Sequence, residues 1–124
     1  MATAFAKVLL EGPVVTAMGE KKARYKVQMG ESHTGAGEAF DVSAEFDYVK
    51  EASAIVSGAV GDLGYVFAII GGTYNAANRG YPAASIKLAA HRGLNGGGAA
   101  APFDPCDSVD LKAINDLIVT IVGT

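Results

Sequence analysis

The side chains best suited to acid–base or covalent catalysis in these 124 residues are His33, His91 and the single cysteine, Cys106. Nucleophilic chemistry needs a nucleophile, a base and an orienting group that converge in space. His33 stands between Ser32 and Thr34, and neighbours in sequence point their side chains apart, so these three form no triad. A His91–Cys106 couple is open to the fold, but nothing in the sequence signals its third member. The simpler reading makes His91 a surface residue at a strand end and Cys106 a small buried hydrophobe. No catalytic residue is assigned, and the chain is not read as an enzyme.

Metal and cofactor chemistry fare no better. Zinc requires several Cys or His residues at set spacings, which three scattered residues do not supply. Asp104, Asp107 and Asp110 recur at every third position, whereas a calcium-binding EF-hand loop needs acidic residues at every second position and a later Glu. A looser calcium site stays open beside the reading of these three as solvated carboxylates capping a turn. Gly35-Ala36-Gly37-Glu38-Ala39-Phe40 puts Phe40 where a dinucleotide fingerprint needs its third glycine. Glu38, Asp41, Glu45 and Asp47 are close in sequence, but paired carboxylates act on glycosides only across a cleft, and these read as a charged loop and turn. Neither a cofactor nor a metal is expected.

What remains is contact chemistry. Tyr74 and Tyr81 flank Asn75, Asn78 and Arg79 in one polar stretch. Tyr and Arg are enriched where proteins touch proteins, and the same set suits a sugar or a loop pinned by its own rings. Near the start, Phe5, Val8, Leu9 and Leu10 form an apolar run that suits an arm laid over a neighbour, adding a strand to its sheet. Lys21, Lys22, Arg24 and Lys26 are the densest positive run, in a chain of net charge −3 and pI about 5.2. They read as the solvated face of a strand, and phosphate neutralisation is not expected, so nucleic acid is excluded as a partner.

The elements that must position these residues are mostly strands. Lys22 to Met29 alternates strictly, with Ala23, Tyr25, Val27 and Met29 on one side and Lys22, Arg24, Lys26 and Gln28 on the other. Such a strand has one dry face and belongs in an antiparallel sheet. Val8-Leu9-Leu10 and Val14-Val15-Thr16-Ala17 read as short strands around a Gly12-Pro13 corner. Ala54 to Val60 and Tyr65 to Ile70, joined by Gly61-Asp62-Leu63-Gly64, read as a hairpin. Ala84 to Ala90 alternates again. Leu117 to Val122 is apolar on both faces and is expected at the centre of a sheet. Short helical turns are expected at Asp41 to Phe46 and Asp107 to Ile114.

Together these give a mainly β, single antiparallel β-sandwich or barrel-like domain with one or two short helical turns. Residues 1–20 are expected as an N-terminal arm with the first short strands, and residues 21–124 as the sandwich, with a flexible loop over 93–105. Charged residues make up 19% of the chain against about 25% in typical soluble domains, which points to burial against partners. One cysteine allows no internal disulfide. The first residues lack the pattern of a signal peptide, and the uncharged stretch between Asp62 and Arg79 is too polar to cross a bilayer. The protein is expected in solution, with no membrane contact.

The order of features resembles small virion proteins of tailed bacteriophages. The resemblance rests on the Lys22 to Met29 strand, the Thr34-Gly35-Ala36-Gly37-Glu38 turn and the Asp41-Val42-Ser43-Ala44 step. It continues through Gly64-Tyr65-Val66-Phe67, Ser85-Ile86-Lys87-Leu88 and Leu117 to Gly123, and so spans residues 22 to 123. It implies a β-rich capsid decoration (cement) protein, made in the host cytoplasm and placed on the outer surface of the virion. It further implies that the partners are the major capsid protein and other copies of the chain, as trimers in many such proteins. A carbohydrate-binding β-sandwich module, or another head or tail component, is the alternative.

Overall fold

The computed structural model describes residues 3–56, 65–92, 104–105 and 109–124. Among these residues nine strands follow one another: β1 (Ala6–Val15), β2 (Lys21–Gln28), β3 (Glu38–Ala39), β4 (Tyr48–Ile55), β5 (Tyr65–Ile70), β6 (Tyr81–Pro82), β7 (Lys87–Arg92), β8 (Asp104–Pro105) and β9 (Leu117–Gly123). They form a five-stranded sheet in the order β1-β2-β9-β4-β6 and a smaller sheet in the order β3-β7-β5, with β8 also pairing β7. Every described pairing is antiparallel. The sheets stay open, so the fold is sandwich-like and not a closed barrel.

Alternation in the sequence becomes two faces in space. β2 buries Ala23, Tyr25 and Val27, with Met29 just beyond it, and turns Lys22, Arg24 and Lys26 outward. β9 lies between β2 and β4 and buries Leu117, Val119 and Ile121 on the same inner face. The smaller sheet covers that face with Leu88 and Ala90 of β7 and the half-buried Phe67 and Ile69 of β5. Phe40, Val42, Phe46 and Ile86 fill the space between from the connecting segments. The Tyr25 and Phe40 rings meet edge to face at 5.5 Å, a geometry that adds to simple burial. At Gly123 a Cβ would collide with the Tyr48 carbonyl oxygen, so the end of β9 approaches β4 more closely than any other residue permits.

Several expectations need correction. The predicted hairpin of Ala54 to Val60 with Tyr65 to Ile70 rests on residues 57–64, which lie outside the described residues; among the described residues β4 pairs β9 and β6, and β5 pairs β7 in the other sheet. β4 begins earlier than predicted, at Tyr48, where it pairs with β6 and with the end of β9; its charged Lys50 meets Glu20 at 3.3 Å. The two short strands around Gly12-Pro13 are one strand, β1, that keeps pairing with β2 through two bulges. Gly12 there takes φ +96°, open to glycine and strained for other residues. The first twenty residues are therefore tied to the sheet by β1.

No helix forms among the described residues. Asp41 to Phe46 is a single turn, closed by the Phe46 N–H donating to the Val42 carbonyl at 2.9 Å. One turn with a cap does not recover the cost of helix nucleation. The segment from 109 to 114 likewise holds one turn, with the Ile114 N–H donating to Leu111; residues 106–108 of the predicted Asp107 turn lie outside the description. So do residues 93–103 of the predicted loop, whose last two residues form β8. Leu117→Ala is expected to lower stability by about 2–5 kcal/mol, and Ser53→Ala, on the exposed face of β4, by less than about 0.5 kcal/mol. Urea unfolding followed by circular dichroism checks both.

Candidate functional site

β1 is the edge of the five-stranded sheet, and its outer rim has no strand partner among the described residues. Edge strands offer unpaired backbone groups to any incoming strand. Here the side chains are also largely uncovered and apolar: Val8 is 62% exposed, Val14 54% and Val15 69%, with Leu9 and Leu10 between them and Met18, 85% exposed, just beyond. Apolar exposure that is contiguous, and not scattered singly, marks a contact surface. Sequence reasoning found Val8, Leu9 and Leu10 but not Val14, Val15 or Met18. A β-branched pair next to a glycine turn looks like any core strand until its neighbours are known.

The predicted contact residues separate into two places. Phe5 turns inward, its ring edge-on to Phe40 at 6.4 Å, and so serves the core. Val8, Leu9 and Leu10 sit on β1. Tyr81 lies in β6, at the opposite edge of the same sheet, about 19 Å away at ordinary strand spacing. Tyr74 and Tyr81 meet each other edge to face at 5.4 Å, and Tyr81 also packs against Gly71. Asn75 spends its side-chain oxygen on the Asn78 backbone N–H at 3.0 Å and on the Asn78 amide at 3.2 Å. Its backbone bridges Gly80, and Arg79 turns the loop with φ 54°. This is a loop held by its own residues, with Tyr74 and Arg79 left at the surface.

The titratable groups are mostly engaged in holding turns. Glu38 accepts the Thr34 N–H at 3.0 Å, and Asp110 accepts the Lys112 N–H at 3.0 Å. Asp41 accepts the Ser43 N–H at 2.8 Å, and hydrogen bonds from the Ser43 side chain and backbone hold its carboxyl below the usual range. Among the described residues no three His, Cys, Asp or Glu side chains come together as a metal site would require. His91 is on β7, opposite Val66, while Cys106 and Asp107 lie outside the described residues. His33, which the sequence did not mark as part of the core, is buried. Its Nε2 accepts the Ala90 N–H at 3.1 Å, which leaves the proton on Nδ1, 3.8 Å from Glu38. The imidazole thus ties the 30–37 loop to β7. Nothing in the pattern Ser32-His33-Thr34 announces this.

On its outer side the five-stranded sheet is uncovered. Paired residues in adjacent strands share a face, so the register gives three rows across it. They are Val8–Lys26–Ile118–Ile55, Glu11–Arg24–Thr120–Ser53 and Val14–Lys22–Val122–Glu51. Arg24 pairs with Glu11 at 3.6 Å. Lys21, predicted as part of the same basic face, instead donates to the Glu45 carbonyl at 3.1 Å.

Glu45 also accepts the Tyr25 hydroxyl at 2.7 Å. Burial first, then this bond and the carboxylate's charge, hold the Tyr25 phenol well above its ordinary value of 10.0. The folded state thus binds the phenolic proton more tightly than the unfolded one. Stability from this source is complete below about pH 10 and is lost as the pH rises further. Tyr25→Phe is expected to cost about 1 kcal/mol at neutral pH and to flatten the alkaline loss, which urea midpoints measured across that range would show. Comparison with protein-family models, curated proteins and solved structures gives no match for this chain.

Proposed function

We propose that the protein is a structural component of a larger assembly, a decoration protein that binds the outer surface of a phage capsid lattice and stabilises it. The observation that carries this reading is β1: a ten-residue edge strand whose aliphatic side chains are exposed beside a backbone rim that no strand pairs among the described residues. That combination suits β-augmentation or docking against a protein surface, where main-chain bonds give affinity and alternate side chains give specificity. A small sandwich whose polar turns are satisfied internally adds area and rigidity to a lattice without chemistry of its own. Many copies, each contributing a modest free energy, sum to resistance against pressure from within. The major capsid protein and neighbouring copies of the chain are the partners this reading requires.

The glycan-binding alternative rests on the Tyr74–Tyr81 loop. Sugar platforms need an open ring face, and the edge-to-face contact of the two rings leaves Tyr74 as the single exposed candidate.

Quantitative mass spectrometry of purified particles from the source virus is expected to find a copy number equal to, or a simple fraction of, that of the major capsid protein. Absence from particles sinks the proposal. Val8→Asp combined with Val14→Asp, both on exposed positions, is expected to leave the unfolding free energy from urea titration within about 0.5 kcal/mol of wild type. The same pair is expected to weaken rebinding to particles stripped of the protein by about tenfold or more.

A further inference from the structure

The outer face of the five-stranded sheet carries a second, independent signal. The chain is acidic overall, at net −3, yet the three rows of this face gather Lys22, Arg24 and Lys26 along β2 against Glu11 and Glu51 among the described residues. Arg24 is neutralised by Glu11. Lys26 shares its row with aliphatic residues alone. Lys22 is two strands from Glu51, about 10 Å at ordinary spacing. Neither lysine has an ion-pair partner among the described residues. Three hollows open on or beside this face, of about 150, 490 and 310 Å³, and each is lined by at least one of the three cations. Aliphatic side chains flank the two lysines along their own rows, Val8 and Ile118 beside Lys26 and Val14 and Val122 beside Lys22.

We infer that this face docks an acidic protein segment: an extended stretch with two carboxylates about 13 Å apart, to meet Lys22 and Lys26 four residues apart along β2, and uncharged aliphatic residues between them. The inference names the partner chemistry of the surface proposed above and rests on that reading for its biological setting. Charge complementarity selects the occupant. An acidic partner relieves two cations held about 13 Å apart, and its carboxylates gain where the aliphatic rows exclude water. A nucleic acid is disfavoured by the same rows, since evenly spaced phosphates would meet Glu11 and the aliphatic ribs as often as the lysines. The middle position, where Arg24 is already paired, calls for a neutral residue in the partner.

Two measurements test it separately from the capsid reading. The first titrates the whole protein with a synthetic ten-residue peptide that carries Asp at two positions four apart and Val or Thr between them, followed by amide NMR shifts. Shifts centred on β2 and β9, lost in about 0.5 M sodium chloride and absent in Lys22→Glu/Lys26→Glu, are expected. No shifts on this face, shifts unchanged in the double variant, or tighter binding there of a twelve-nucleotide single strand or of phosphatidylserine vesicles would overturn the inference. The second compares wild type and the double variant in rebinding to stripped particles. A loss of about tenfold or more with an unchanged urea midpoint supports the inference. Wild-type binding that the charge reversal leaves intact overturns it while the decoration reading stands. A wild type that ignores particles yet takes the peptide on this face retires the decoration reading and keeps the acidic-segment site.

Discussion

A strand that is dry on one side and wet on the other must find a cover for its dry side, and that requirement organises this chain. β2 presents Tyr25 and Val27 inward, and β9 adds Leu117, Val119 and Ile121 beside them. No single sheet can hide such a face, so β7 and β5 are drawn over it and the connecting segments supply Phe40, Phe46 and Ile86 to fill the gap. The same geometry that closes one face leaves the other open. The lysines of β2 point outward because the tyrosine and valine between them point in, and the outer surface is thus a direct product of core formation.

How far this was legible depends on range. The dry face of β2 and the central place of β9 could be read from the sequence because alternation, or an apolar run on both faces of a strand, is a local property. Pairing partners could not. Nothing near Ala54 says that it will lie opposite Val119 and not beside β5, since both neighbours are apolar and only the packing of the whole distinguishes them. The candidate surface follows the same rule. Val8, Leu9 and Leu10 stood out as an apolar run near the start, whereas the exposure of Val14, Val15 and Met18 follows from β1 falling at a sheet edge. Phe5 was misplaced because an isolated aromatic says nothing about which side of its strand will be covered. His33 was passed over because its role depends on Ala90, which sequence distance separates completely.

The edges of the two sheets are built differently. β1 carries Lys7, Glu11, Pro13 and two bulges, devices that discourage indiscriminate pairing while leaving its aliphatic side chains available. Lys7 extends over the Tyr25 and Phe40 rings, at 5.4 and 5.8 Å, so this charge also seals the rim of the core. β5, Tyr65-Val66-Phe67-Ala68-Ile69-Ile70, has neither charge nor proline, and exposes Val66 and Ile70. A contact surface at β1 is therefore selective by construction, because a partner must accommodate its kinks and charges to gain its apolar area.

The position of β9 in the order of the chain has a further consequence, for synthesis on the ribosome. The strand that sits between β2 and β4 is the last of the nine, and Lys21 waits for Gly123 as its partner. Until residues 117–123 have left the exit tunnel, β2 can pair only with β1, and β4 lacks the neighbour that joins it to the rest of the sheet. The five-stranded sheet is thus completed by the last of its described strands to be synthesised, and β2 and β4 are joined only when that strand arrives between them.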